Sequence, residues 1–386
     1  MKGCLKTIGT IVFWGVIIII GINTCDLITS PDTVISPEPN TVTSPQVSPS
    51  APSAPAAPSA SEPESIQIPS KELQGPTISL PTAIGGVAQS TEMVSMDYSW
   101  SYRGEWTWGM DIPVAIYDYY RELSRPPTKN YSIYVTHPLD DPYIDTLVEK
   151  LRKAAEQEGF SEYQTVEFAA AFVQSLPYTV DSVTTPYDEY PRYPLETLVD
   201  NGGDCEDTSI LLASIIDKMG YAAVLIVLPN HVGMGVKGGE NVYGTRWDYK
   251  GDKYYYLETT GENWGIGELP EEYKNASASI YPMIPVPILS HEGSINGRGY
   301  IAEVTLKVSN LGTAQANNVT VFAGFDAGDR TVWNSQTSEP FNLAAGQQVT
   351  VGLNLKVPLD KHTRLIVQIA IDGVLVDEDY TDWFDT

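Results

Sequence analysis

The chain has 386 residues, 42% of them hydrophobic, and sets 23 basic against 49 acidic side chains for a formal charge of −26. That length supports two or three folded units, and a surface of this sign repels phosphate backbones and anionic headgroups, so no nucleic-acid partner is expected. Three cysteines, Cys4, Cys25 and Cys205, are too few for a disulfide scaffold.

Lys2 and Lys6 precede an uncharged run of 19 residues from Thr7 to Cys25, and Asp26 follows. Basic flank, apolar core and acidic exit predict residues 1–28 as a membrane anchor or signal segment, with the rest of the chain on the extracytoplasmic side. The run is short for a spanning helix and long for a signal-peptide core. A retained anchor, a cleaved signal and lipid attachment at Cys25 all stay open. Residues 29–75 read as a linker, because nine of the 33 residues from Pro31 to Pro63 are proline and most of the others are Ser, Ala, Thr or Val. Such a stretch cannot bury a core, and in extended form it spaces a head on the order of 100 Å from the membrane.

Residues 76–290 form the next predicted unit. Tyr98 to Tyr102 alternate aromatic and small polar residues like a half-buried strand, and the rings of Trp106, Trp108, Tyr117, Tyr119 and Tyr120 suit core packing better than ligand stacking. Helical spacing predicts one helix over about 140–158 and a second over about 162–176, ended by Pro177. Then comes Gly202-Gly203-Asp204-Cys205-Glu206-Asp207. The glycines permit a tight turn, and Asp204 with Asp207 matches a capping box that starts a helix at Cys205. Its buried stripe is Thr208, Leu212, Ile215, Ile216 and Met219.

The thiol thus falls in a first helical turn, where the dipole favours a thiolate and free N–H groups favour an oxyanion. Asp204, Glu206 and Asp207 oppose the thiolate, so a base must activate it. Downstream, 222–228 reads as a buried strand and 231–236 as the next. Period two places His231, Gly233 and Gly235 on one face, with space beside the glycines for a substrate backbone. A third strand over 253–259 carries Glu258, which is available to orient the imidazole, with Asp248 and Asp252 as alternatives. Gln174 and Tyr178 are candidate oxyanion donors. Cys205, His231 and Glu258 are therefore the expected nucleophile, base and orienting carboxylate. No Cys-x-x-Cys or His-x-x-x-His spacing supports a metal site, and no cofactor is expected.

The Gly-Gly-Asp-Cys205-Glu-Asp opening of an apolar helix, then Asn230-His231-Val232, then Tyr256-Leu257-Glu258-Thr259-Thr260, resembles the transglutaminase-like superfamily over roughly residues 92–287. The resemblance implies a papain-like α+β core, helices packed on an antiparallel sheet, and a triad of Cys205, His231 and a carboxylate that is more typically Asp than the Glu258 found here. It implies a thiol peptidase, amidase or acyltransferase acting on peptide, isopeptide or amide bonds of cell-surface proteins or wall peptides. Hydrolysis is favoured over cross-linking, because no amine-selecting pocket is legible. The superfamily also has inactive relatives, so a catalytically silent surface binding or adhesion protein is the alternative.

Residues 291–386 switch to short alternating runs at 301–308, 317–322, 348–357 and 364–371, which predict a β-sandwich. Val308-Ser309-Asn310-Leu311-Gly312 with Leu343-Ala344-Ala345-Gly346 resembles immunoglobulin-like, adhesion-related (CARDB-like) modules. The resemblance implies a spacer or binding role without catalysis. Asp377-Glu378-Asp379 reads as a solvated loop, and Asn130, Asn275 and Asn318 begin glycosylation sequons.

Overall fold

A computed structural model describes residues 71–74 and 92–386, apart from positions 188 and 330, together with short strands at Ile11–Phe13, Asn40–Val42 and Gln46–Val47. The expected anchor, Cys25 and the proline-rich linker otherwise lie outside the described residues. Among the described residues, no helix is long and apolar enough to cross a membrane. The chain divides into two compact units between Ile284 and Pro285, and its helices and mostly antiparallel strands give it the expected α+β class.

The first unit opens with a hairpin, β1 (Met93–Ser101) and β2 (Glu105–Pro113). Period two turns Tyr98, Trp100, Trp106 and Trp108 to one face, where they meet Phe168 and Phe172 at ring-centroid distances of 4.8 to 5.8 Å. The aromatic crowding is core, each ring worth about 1.5–3 kcal/mol of burial. Seven helices follow among the described residues, two of them single turns at Ser132–Val135 and Asp181–Thr184; the longer five are α1 (Val114–Glu122), α2 (Asp141–Glu158), α3 (Glu162–Gln174), α4 (Pro194–Val199) and α5 (Cys205–Lys218). Ser161 and Gln164 cap α3 reciprocally. The predicted stripe of α5 is buried, and so are Ser209, Ile210, Leu211, Ala213 and Ser214, because helices and sheet enclose it on all sides.

The sheet comprises β3 (Ala223–Leu228), β4 (His231–Lys237), β5 (Thr245–Tyr249), β6 (Asp252–Leu257) and β7 (Ala278–Pro282), in the order β7-β3-β4-β6-β5. Asn40–Val42 pairs on β7 and Gln46–Val47 on β5. One sheet face packs on α5, and the other buries Val224, Ile226, Trp247, Tyr254, Tyr256 and Ile280. In the β4/β6 register Tyr256 lies opposite Gly235 and Leu257 opposite Met234. Asn130 is buried, and its Oδ1 accepts from Ser132 Oγ at 2.6 Å, so this sequon is a structural turn rather than an exposed acceptor.

The second unit is a two-sheet sandwich. One sheet orders β8 (Leu289–Arg298), β9 (Ile301–Asn310) and β12 (Gln348–Lys356), with Ile11–Phe13 on the β8 edge. The other orders β11 (Val332–Thr337), β10 (Ala316–Asp326), β13 (Leu365–Ile371) and β14 (Val374–Tyr380). Inward residues of both sheets share one core, including Val304, Leu306, Val321, Phe325 and Ile369. Asn310 is fully buried and ties the turn of its motif, donating to Ala314 O at 2.8 Å and Leu343 O at 3.0 Å and accepting from Gly312 N at 3.1 Å. Asp377-Glu378-Asp379 is strand, not the expected loop, and Asp377 meets His291 Nδ1 at 2.7 Å.

Candidate active site

The turn before α5 is built by backbone proximity. Gly202 sits at φ +145°, and a Cβ there would strike the carbonyl of Pro177. The chain at Tyr178 bridges to Gly203, and Thr179 N–H donates to Gly203 O at 2.9 Å. Asp204 N–H donates to Asp207 Oδ2 at 3.2 Å, the reciprocal arm of the expected capping box. Asp207 does not crowd the thiol as the sequence reading supposed. It is fully buried against the Arg192 guanidinium, which also meets Asp181 at 3.0 Å and Asp200 at 2.9 Å. A buried cation shared by three carboxylates fixes the base of the turn.

Cys205 occupies the first helical position, partly accessible, with its Sγ 3.2 Å from Glu206 Oε2. Burial, then the charge of Glu206 and the hydrogen bond to it, push this thiol well above its ordinary value, while the Val232 N–H pulls it back. Val232 is the residue after His231, so thiol and imidazole belong to one corner of the fold. The docking of α5 on the strands holds that corner. Ser209 Oγ donates to Val232 O at 3.0 Å, and the hydroxyls of Thr208 and Ser209 meet Thr259 Oγ1 at 2.9 and 3.0 Å.

His231 Nε2 lies 2.9 Å from Glu258 Oε2 and 3.1 Å from Tyr256 Oη, and its ring stacks on Tyr273 at 4.8 Å with 3° between planes. Glu258 is 1% exposed and its acceptor capacity is well used. Oε2 takes the imidazole and the Tyr256 hydroxyl (2.8 Å), while Oε1 takes the N–H groups of Thr259 and Thr260 at 3.0 Å each and Thr260 Oγ1 at 2.7 Å. Burial alone would raise this carboxyl, but the His231 hydrogen bond and charge and the Thr260 donors outweigh it and bring it down to about 2. Asp248 and Asp252 are engaged elsewhere, with Arg246 at 3.6 Å and Lys237 at 2.8 Å.

Two expectations change. Gly233 does not open space for a substrate: a Cβ there would come 2.5 Å from Tyr256 Oη, so the glycine admits the phenol that supports Glu258 and His231. Gln174 is not an oxyanion donor. It is buried, and its Nε2 donates to Glu258 O at 2.8 Å and Trp264 O at 3.0 Å, which holds the chain beyond β6 in place. Tyr178, the other candidate, is 58% exposed and close enough to the thiol to feel its charge.

Sequence reasoning assigned no part in the site to Arg192, Ser209 and Tyr273, and it placed Thr208 only in a buried helix stripe and Tyr256, Thr259 and Thr260 only in the strand motif around Glu258. The Thr-Thr pair after Glu258 and the glycine facing Tyr256 were the available signals. It also missed that carboxylate oxygens of Asp181, Asp204 and Glu206 lie within 4.8 Å of one another, an oxygen set of the kind hard cations take. Burial pushes both Asp204 and Glu206 up from the usual carboxylate range, helped at Asp204 by the Glu206 charge and at Glu206 by the charges of Asp207 and Glu189.

No family model matches the chain, and no curated protein does. Among solved structures, Legionella pneumophila LapG aligns at 15% identity and TM-score 0.25, over 43% of this chain and 83% of that one. The CARDB domain of the Pyrococcus furiosus PF1109 protein, in complex with di-metal ions, aligns at 18% identity and TM-score 0.18, over 24% of this chain and 76% of that one. Beta-glucosidase 3B from Thermotoga neapolitana, in complex with alpha-D-glucose, aligns at 11% identity and TM-score 0.18; the alignment takes in 26% of this chain and only 17% of the enzyme.

Proposed function

We propose that this chain is a thiol acyl-transfer enzyme of the transglutaminase-like type, tethered by its N-terminus and acting outside the membrane on peptide, isopeptide or amide bonds. The observation that carries the reading is the 2.9 Å His231–Glu258 pair at the corner where Cys205 opens its helix. With Nε2 committed to Glu258, Nδ1 is the nitrogen that takes the thiol proton. Sγ then attacks the carbonyl carbon, and the oxyanion forms beside the free N–H groups of the first helical turn. His231 returns the proton to the leaving amine, leaving a thioester that water resolves. An amine in place of water would give cross-linking.

A silent binding protein is the second reading, and the raised thiol favours it, since Cys205 in this state is protonated and donates to Glu206. Iodoacetamide decides between the two. Catalysis predicts that Cys205 alkylates faster than a free thiol at pH 7 and that His231→Ala slows it by about 10²–10⁴-fold. A slow rate that His231→Ala leaves unchanged establishes the silent reading. Incorporation of a supplied primary amine into product then separates transfer from hydrolysis.

A further inference from the structure

The segment from Tyr178 to Tyr187, which lies against the turn carrying Cys205, leaves its apolar side chains in solvent. Tyr178 is 58% exposed, Val183 73% and Tyr187 59%. Soluble surfaces rarely line up such residues without a partner. On the imidazole side of the thiol stands Tyr273, parallel to the His231 ring. The hydroxyls of Tyr178 and Tyr273 both lie within electrostatic reach of Cys205, and Tyr178 also within reach of Tyr273. Tyr178, bridged to Gly203 two positions before the thiol, and Tyr273, stacked on the imidazole, thus flank the corner that carries Cys205.

Charge selects what those faces take. The described residues of 177–193, 200–207 and 258–274, the stretches that carry Tyr178, Cys205 and Tyr273, hold eleven carboxylates and two basic residues, Arg192 and Lys274. Arg192 is fully buried among aspartates, and Lys274 Nζ sits 2.5 Å from Glu271. Glu206 stands beside the thiol itself. Aromatic faces rimmed by carboxylates bind organic cations, through the ring quadrupole and through the field.

We propose that Tyr178 and Tyr273 receive between them a lysine or arginine side chain of the acyl donor, next to the scissile carbonyl. This inference rests on the acyl-transfer reading above.

The test uses the full chain in neutral detergent and three methanethiosulfonate reagents bearing trimethylammonium, methyl or sulfonate groups. Each transfers its sulfenyl group to the thiolate and releases methanesulfinate. The rate at Cys205 is read from its peptide by mass spectrometry and divided by the rate of the same reagent with free cysteine. The trimethylammonium reagent is expected to lead the methyl reagent by about tenfold or more, with the sulfonate slowest. Tyr178→Ala with Tyr273→Ala should cut that lead about three- to tenfold, although neither changes the charge. A ratio near one overturns the proposal. A ratio that survives loss of both rings also overturns it, by assigning the preference to the general field. A ratio erased by calcium ions at matched ionic strength overturns it in favour of a bound metal ion. These outcomes differ from failure of the acyl-transfer reading, in which the neutral reagent is no faster than with a free thiol and is indifferent to His231→Ala.

Discussion

Two buried glutamates at one corner of the fold are pushed in opposite directions. Glu258, at the end of β6, is 1% exposed and held well below the ordinary carboxylate range; Glu206, in the first turn of α5, is 5% exposed and pushed up. Burial is nearly equal, so burial does not separate them. Glu258 meets an imidazole, a phenol, two backbone N–H groups and a threonine hydroxyl. Glu206 meets Asp204 and the Cys205 thiol, with Asp207 and Glu189 nearby. A buried carboxylate is stable as an anion only where donors converge on it. The strand-end region is therefore built around a fixed charge, and the helix-start region around a proton.

The difference is largest under truncation. Glu258→Ala leaves donors from four residues without their acceptor, and the expected cost is about 3–5 kcal/mol by urea unfolding. Glu258→Gln, which retains the shape and one acceptor oxygen, should recover part of that stability. Equal stability of wild type and Glu258→Ala would remove the distinction between the regions.

A backbone change sharpens the same side. Gly233→Ala must displace the Tyr256 ring, with an expected loss of about 1–3 kcal/mol and slower alkylation of Cys205. Unchanged stability together with unchanged alkylation would mean that Tyr256 supports nothing.

The smallest effect lies at the helix start and is a pH dependence. A carboxyl raised in the folded state binds more protons folded than unfolded, so its contribution is complete below the unfolded value of about 4 and is lost as pH rises through the folded value. Glu258 has the opposite sign: its contribution is present above about 4 and is lost as pH falls toward its depressed value of about 2. Stability should therefore peak in mildly acidic solution. Glu206→Gln should flatten the alkaline limb and raise Cys205 alkylation at pH 7 a few-fold, because a raised thiol loses its nearest negative charge. An alkaline limb identical to wild type would show that Glu206 does not hold the proton.

Much of the fold was legible because it depends on local pattern. The helix start at Cys205 follows from two glycines and a pair of aspartates three apart, and the strands of His231 and Glu258 follow from apolar alternation. The sandwich strands were found where alternation is clean, whereas β8, with His291, Gly293, Ser294 and Asn296 in its run, carries too little apolar signal. At the site, residue types and chain order pointed to His231 and Glu258, which the fold brings together. What escaped depends on distant parts of the chain. Nothing near Arg192 in sequence announces that it gathers Asp181, Asp200 and Asp207, and Gly233 looks like open space until Tyr256, 23 positions later, fills it. Nor does local sequence place Tyr273 over an imidazole that precedes it by 42 positions.

The central claim is that His231, steadied by Glu258, draws the proton from a thiol that its surroundings otherwise hold protonated. The pH profile of iodoacetamide alkylation at Cys205, read in wild type and His231→Ala across pH 5 to 10, tests it most directly. The account predicts a wild-type rate at pH 6 to 7 above that of a free thiol, carried by His231 and absent from the variant. Two superimposed profiles, both rising only in strongly alkaline solution, would contradict it.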